Sequence, residues 1–114
     1  MHELSIVEKI VQTTEQFAEE KDIANVRKVM LRIGKMTGVL PKYVRSYYKD
    51  LIVGTRLEGS ELDIEVIPGQ CFCRNCGCTF DAGEETDRCP ECGDSDYEVI
   101  QGNELMIKEI AYED

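Results

Sequence analysis

The chain has no tryptophan, and only one histidine and three prolines in 114 residues. No cysteine occurs before position 71 or after position 92. The single histidine, His2, has no serine or cysteine partner in a recognisable catalytic motif, which argues against an enzyme. No apolar run is long enough to cross a membrane. The opening MHELSIVEKI carries acidic residues early and no cleavable apolar segment, so a cytoplasmic rather than a secreted protein is expected. Basic residues are also scarce, 13 Lys/Arg against 23 Asp/Glu for a net charge of −10. The imbalance is local: residues 1–68 carry ten basic against eleven acidic side chains, residues 69–114 three against twelve. Phosphate backbones require basic surfaces, so nucleic acid is not an expected partner. The length allows one modest hydrophobic core and a small metal-stapled module.

All six cysteines lie in CFCRNCGCTFDAGEETDRCPEC, Cys71 to Cys92. Cys73-x-x-Cys76 and Cys89-x-x-Cys92 are two pairs separated by twelve residues, each followed at once by glycine. Two thiolates two residues apart grip one metal ion, and the turn behind them needs a residue that tolerates positive φ. Two such knuckles supply the four sulfurs of a closed tetrahedral zinc site on Cys73, Cys76, Cys89 and Cys92. Iron in a rubredoxin-like cage would use the same ligands. Cys71 and Cys78 flank the first knuckle and are read as free thiols, or as a disulfide if the protein is oxidised; exchange of either with a ligand is the sharper alternative. Metal-gripping thiols imply a reducing compartment.

Along the chain, Leu4, Val7, Ile10, Val11, Phe17 and Ala18 recur at helical spacing, with Thr14 filling the gap in the stripe. NVRKVMLRIGKM then switches to period two, with Val29, Leu31 and Ile33 on one face and Met30 and Arg32 on the other. Gly34 to Leu40 reads as loop. Pro41 starts a second helix, whose face is Val44, Tyr47, Tyr48, Leu51 and Ile52, the tyrosines being core and rim residues. ELDIEVI alternates as a strand that stops at Pro68-Gly69. Tyr97 to Ile100 reads as a short strand. In the closing ELMIKEIAY the alternation slips, and a bulge at Lys108-Glu109 would put Leu105, Ile107, Ile110 and Tyr112 on one face. The order is helix, strand, helix, strand, zinc module, strand. It predicts an α+β fold, two helices on a three-stranded sheet with an inserted zinc-ribbon-like module. The expected domains are residues 1–68 plus 102–114, and residues 69–101. Linkers anchored in strands at both ends would permit exchange between two chains, and hence a homodimer.

His2 has two readings. The bland one is a solvated terminal side chain. The other is a chelate: the terminal amine of Met1, the deprotonated His2 amide and the His2 imidazole close two fused rings on one ion, with Glu3 offering a further nitrogen or oxygen. Nitrogen donors in a plane suit Ni(II) or Cu(II), whereas zinc prefers tetrahedral ligands. Met1 is retained because a bulky second residue blocks its removal.

The opening Met1-His2-Glu3-Leu4-Ser5, the RKVMLRIGKM strand, the two knuckles and the closing GNELMIKEI resemble the HypA/HybF family, nickel metallochaperones of [NiFe]-hydrogenase maturation. The resemblance runs over essentially the whole chain in the same order. It implies a nickel-binding domain holding Met1, His2 and Glu3, and a structural Zn(II) domain on Cys73, Cys76, Cys89 and Cys92. It implies Ni(II) as cargo for the hydrogenase large subunit, and delivery rather than catalysis. The GTPase HypB and, in some organisms, urease maturation proteins would be the other partners. Cys71 and Cys78 are extra to the family's four-ligand pattern. Against this stand a zinc-ribbon adaptor without nickel and a rubredoxin-like electron carrier.

Overall fold

In a computed structural model, which describes residues 3–82 and 86–113, two small sheets lie along a molecule of 54 × 23 × 17 Å. The first sheet is built around β1 (Asn25–Gly34), with β2 (Glu61–Ile67) parallel on one side and β6 (Leu105–Glu113) antiparallel on the other. Two helices cover one face. Helix α1 (Glu3–Glu20) buries Val7, Val11, Thr14 and Ala18, and α2 (Pro41–Leu51) buries Val44 and Tyr48. This is the expected α+β architecture. Leu4, placed on the α1 stripe from spacing alone, is exposed at 42 %, and the buried stripe begins at Val7.

The parallel pairing of β1 and β2 requires a crossover, and α2 supplies it. Pro41 sits in the first turn, where its missing N–H costs nothing. A single 3-10 turn, Lys35–Thr37, fills part of the expected loop before it, held by Thr37 Oγ1 donating to the Gly34 carbonyl at 2.8 Å. Leu57, in the connection after α2, is fully buried in the same core. Its loop is tied down by the Tyr48–Ser60 hydroxyl pair at 2.6 Å and by Glu15, which pairs with the Arg56 guanidinium at 2.8 Å.

The slip in the last strand is a bulge. Val29 faces Ile110 and Met30 faces Glu109, but Leu31 faces Ile107, leaving Lys108 as the extra residue. Leu105, Ile107, Ile110 and Tyr112 therefore pair with Ile33, Leu31, Val29 and Val26, the core-facing positions of β1. Tyr112 meets Phe17 of α1 edge-on, ring centroids 6.4 Å apart. The opposite face of the sheet carries partly exposed ion pairs, Lys28–Asp63 at 3.0 Å and Lys108–Glu65 at 2.9 Å. Lys108 lowers the Glu65 carboxyl below its ordinary range, chiefly through that hydrogen bond.

Between β2 and β6 stands a second sheet in the order β4-β3-β5: β3 (Gly69–Cys73), β4 (Thr79–Ala82) and β5 (Tyr97–Gln101), all antiparallel. β5 matches the expected short strand. β3 and β4 were not legible: β3 is built around cysteines and β4 is only four residues long, so neither carries an apolar alternation. Phe80 and Tyr97 pack edge-on at 5.7 Å against Cys71 in a separate small core. Met36, from the 3-10 turn, leans onto this core, and its backbone N–H donates to the Gly102 carbonyl at 2.9 Å.

Candidate metal centre

The β3–β4 hairpin turns on the first knuckle. The Gly77 N–H donates to the Cys73 carbonyl at 2.9 Å, and the Cys73 N–H donates to the Cys78 carbonyl at 2.9 Å. The second knuckle repeats this: Gly93 N–H to the Cys89 carbonyl at 2.8 Å and Cys89 N–H to the Asp94 carbonyl at 2.9 Å. Gly77 and Gly93 both stand at φ +77°, and a Cβ at either would meet open space. Glycine is there for the backbone angle, not for room.

These loops bring Cys73, Cys76, Cys89 and Cys92 together, with all four sulfurs within 4.8 Å of one another. The Cys73–Cys92 separation is 3.6 Å and the Cys76–Cys89 separation 3.7 Å. A tetrahedron with metal–sulfur bonds of about 2.3 Å has edges of about 3.8 Å, so the spacing suits one tetrahedral ion. Cys73 and Cys89 are buried, whereas Cys76 and Cys92 are exposed. Asn75 Nδ2 reaches the Cys92 sulfur at 3.6 Å. Arg74 braces the hairpin from outside through Asp96 at 2.8 Å and Glu98 at 3.4 Å.

The thiols are not equivalent. Desolvation raises the Cys89 thiol, but N–H groups of Cys92 and Glu91 and the thiols of Cys78 and Cys76 outweigh it, pulling the pKa down to about 6. At Cys76 a backbone hydrogen bond from Cys78 lowers the pKa, yet contacts with the Cys78, Cys73 and Cys89 thiols and desolvation leave it raised. Cys78 is also raised: the Cys76 contact lowers it, but the Cys89 contact and desolvation prevail. The cluster favours the thiolate at Cys89 over its neighbours, and a cation binding here would displace the remaining thiol protons.

The two flanking cysteines, read alike from sequence, have different surroundings. Cys71 is fully buried in the central strand, paired with Phe80, and burial pushes its thiol up. Cys78 lies 3.3 Å from both the Cys76 and the Cys89 sulfurs. Cys78 stands just before β4, two residues past Cys76.

Of the terminal trio, Met1 and His2 lie outside the described residues. Glu3 opens α1, and its carboxylate Oε2 accepts the Leu40 N–H at 3.2 Å. Leu40 precedes Pro41 and offers no capping side chain of its own, so Glu3 ties the start of one helix to the start of the other. Among the described residues, no helix is long and apolar enough to cross a membrane.

An α+β layer with a four-thiol module inserted before its last strand defines a metal-handling protein. A family model described as "Hydrogenase/urease nickel incorporation, metallochaperone, hypA" matches residues 1–112. The chain is 37 % identical over 113 residues to the hydrogenase maturation factor HypA of Acidithiobacillus ferrooxidans (strain ATCC 53993 / BNL-5-31), covering 99 % of this chain and 100 % of that one. It is 40 % identical over 114 residues to HypA of Dehalococcoides mccartyi (strain CBDB1), covering 100 % and 96 %. The solution structure of the Ni metallochaperone HypA from Helicobacter pylori superposes with a TM-score of 0.68 at 20 % identity, covering 98 % of this chain and 97 % of that one. A second, titled the solution structure of HypA protein, gives 0.72 at 20 %, with 99 % and 97 % covered. The two structures establish the shared fold. The chain belongs to the HypA family of hydrogenase and urease nickel-incorporation metallochaperones.

Proposed function

We propose that this protein binds Ni(II) as cargo at its N-terminus and delivers it to the large subunit of a [NiFe]-hydrogenase during maturation. The Met1 amine, the His2 amide and imidazole, and Glu3 are its nickel donors, and Cys73, Cys76, Cys89 and Cys92 hold a structural Zn(II). The observation that carries this reading is the family match, which starts at residue 1 and so spans Met1, His2 and Glu3. Glu3 supports it, because its tie to Leu40 holds the beginning of the chain against α2. The converging thiols support zinc: a closed four-sulfur site leaves no open position for a substrate, which suits a structural ion. Residues 1–68 with 102–114 form the nickel domain, and residues 69–101 the zinc domain. The partners are the GTPase HypB, the hydrogenase large subunit and urease maturation proteins, met in the cytoplasm. A homodimer formed by exchange of the zinc module fits the strand-anchored linkers.

Calorimetry with nickel on four variants tests the terminal site. His2→Ala, an N-terminal tag, and one residue inserted between Met1 and His2 should each abolish specific nickel binding while zinc content and helicity stay unchanged. The tag turns the amine into an amide, and the insertion changes the chelate ring sizes. A C-terminal tag free of histidine should leave nickel affinity intact. Full affinity in the extended proteins would remove the terminal chelate. Metal analysis after native purification should find one zinc per chain; iron would point to electron transfer instead.

A further inference from the structure

The zinc centre proposed above uses four sulfurs, and a fifth, that of Cys78, stands directly against two of them. Cys78 Sγ lies 3.3 Å from Cys76 Sγ and 3.3 Å from Cys89 Sγ, closer than the 3.6 Å and 3.7 Å contacts among the expected ligands. We propose that Cys78 is an alternate ligand that exchanges with Cys76, so that the ion is held by Cys73, Cys89, Cys92 and either Cys76 or Cys78.

The geometry selects Cys76 as the sulfur replaced. Both Cys76 and Cys78 touch Cys89, and the two sulfurs touch each other, so a small movement would let one take the other's place beside Cys89. Cys73 and Cys89 are buried and fixed by their backbone hydrogen bonds, while Cys76 is exposed and can swing into solvent without disturbing the small core. Cys92 is also exposed, but Asn75 holds its sulfur. The Cys78 carbonyl accepts the Cys73 N–H, which fixes the Cys78 backbone beside the knuckle. Cys71, fully buried at the Phe80 pairing, takes no part. The exchange is balanced: Cys78 gives up its thiol proton on binding, Cys76 takes one up on leaving, and no electrons move. The consequence is a centre that is closed at equilibrium yet opens by substitution. An incoming thiol or chelator then meets an ion with one displaceable ligand, and metal exchange becomes fast.

The test uses the full chain and two metals, zinc for stoichiometry and Co(II) for its thiolate-to-cobalt charge-transfer band, whose intensity counts bound sulfurs. Cys76→Ser should keep one metal per chain and the full wild-type band intensity. Its affinity should fall by no more than the roughly 10–100-fold that loss of an outer-shell partner costs. Cys76→Ser with Cys78→Ser should lose a quarter of the band and stoichiometric binding. If Cys76→Ser alone already matches the double variant, Cys78 is not a ligand and the proposal falls. A second measurement needs only Cys78→Ser, which leaves the expected set whole: release of bound zinc to excess chelator should slow relative to wild type. Equal release rates would overturn the exchange. Wild-type protein that takes up neither metal would instead refute the zinc centre on which the proposal rests.

Discussion

Thr14 is fully buried on the sheet-facing stripe of α1, and its hydroxyl finds no hydrogen-bond partner among the described residues. A buried polar group left unpaired costs about 1–3 kcal/mol. Valine has nearly the same shape and a similar helix propensity. Thr14→Val should therefore stabilise the protein by about 1 kcal/mol, seen as a higher urea midpoint at unchanged slope. At the other end of the helix, nickel held as proposed would have to displace protons from an amine and an imidazole, whose ordinary pKa values are about 7.7–8.0 and about 6.5. Nickel affinity should fall as the pH drops from about 8 to about 6, because protons then compete for both donors. A flat calorimetric profile across that range would exclude the amine and His2 as principal donors. At this scale, legibility depended on whether a residue's role is set by its neighbours in sequence. The knuckle cysteines and glycines announce themselves because the turn is local. Cys71 and Cys78 looked alike because what separates them, a strand partner and a sulfur from the second knuckle, comes from positions 80 and 89. Leu57 was hidden for the same reason: one apolar residue in a polar connection has no periodicity to reveal it.

Among the elements, β6 makes the clearest demand on its sequence. Lys108 is the additional residue opposite β1, and its side chain leaves the core to pair with Glu65. Removing it would turn LMIKEIAY into LMIEIAY, a strict alternation that still places Leu105, Ile107, Ile110 and Tyr112 on the core face. The ion pair lost is partly exposed, a contact of about 0–1 kcal/mol. Deleting Lys108 should change stability by no more than about 1 kcal/mol. Deleting Ala111 should cost far more, because it turns Tyr112 away from Phe17. Comparing the two deletions by urea denaturation checks the bulge; equal losses would mean that it is needed for its twist and not merely tolerated. Both helices, β1, β2 and the bulge were legible because each buries one face and so carries a period. Of the second sheet only β5 was. The middle strand, GQCFC, has cysteine at two of its five positions, and a metal module replaces the apolar pattern on which such reading depends.

For the whole molecule, the two sheets differ in what holds them. The helical layer has its own hydrophobic cluster, including Val7, Val29, Leu31, Val44 and Leu57. The thiol module buries little beyond Cys71, Cys73, Phe80 and Cys89. Structural zinc supplies about 10–16 kcal/mol of folding free energy in isolated finger peptides, more than so small a core can replace. The acidic excess adds to the need: residues 69–114 carry twelve Asp/Glu against three Lys/Arg, and unliganded thiolates would only repel. The halves meet at a tight joint, where Met36 leans onto the module's core and a methyl on Gly102 would come within 2.7 Å of the Gly69 Cα. Loss of the module should therefore loosen the start of β6, which follows that joint, without reaching the helices. Chelation of zinc, or Cys89→Ala, is expected to disorder roughly residues 70–100 and weaken β6 while the helices survive. Far-ultraviolet circular dichroism should keep its helical signal, and hydrogen exchange should keep the amides of α1 and β1 protected while those of β3 to β5 exchange freely. Complete loss of helix on metal removal would show that the two sheets fold as one unit, and the division at residues 69–101 would have to be abandoned.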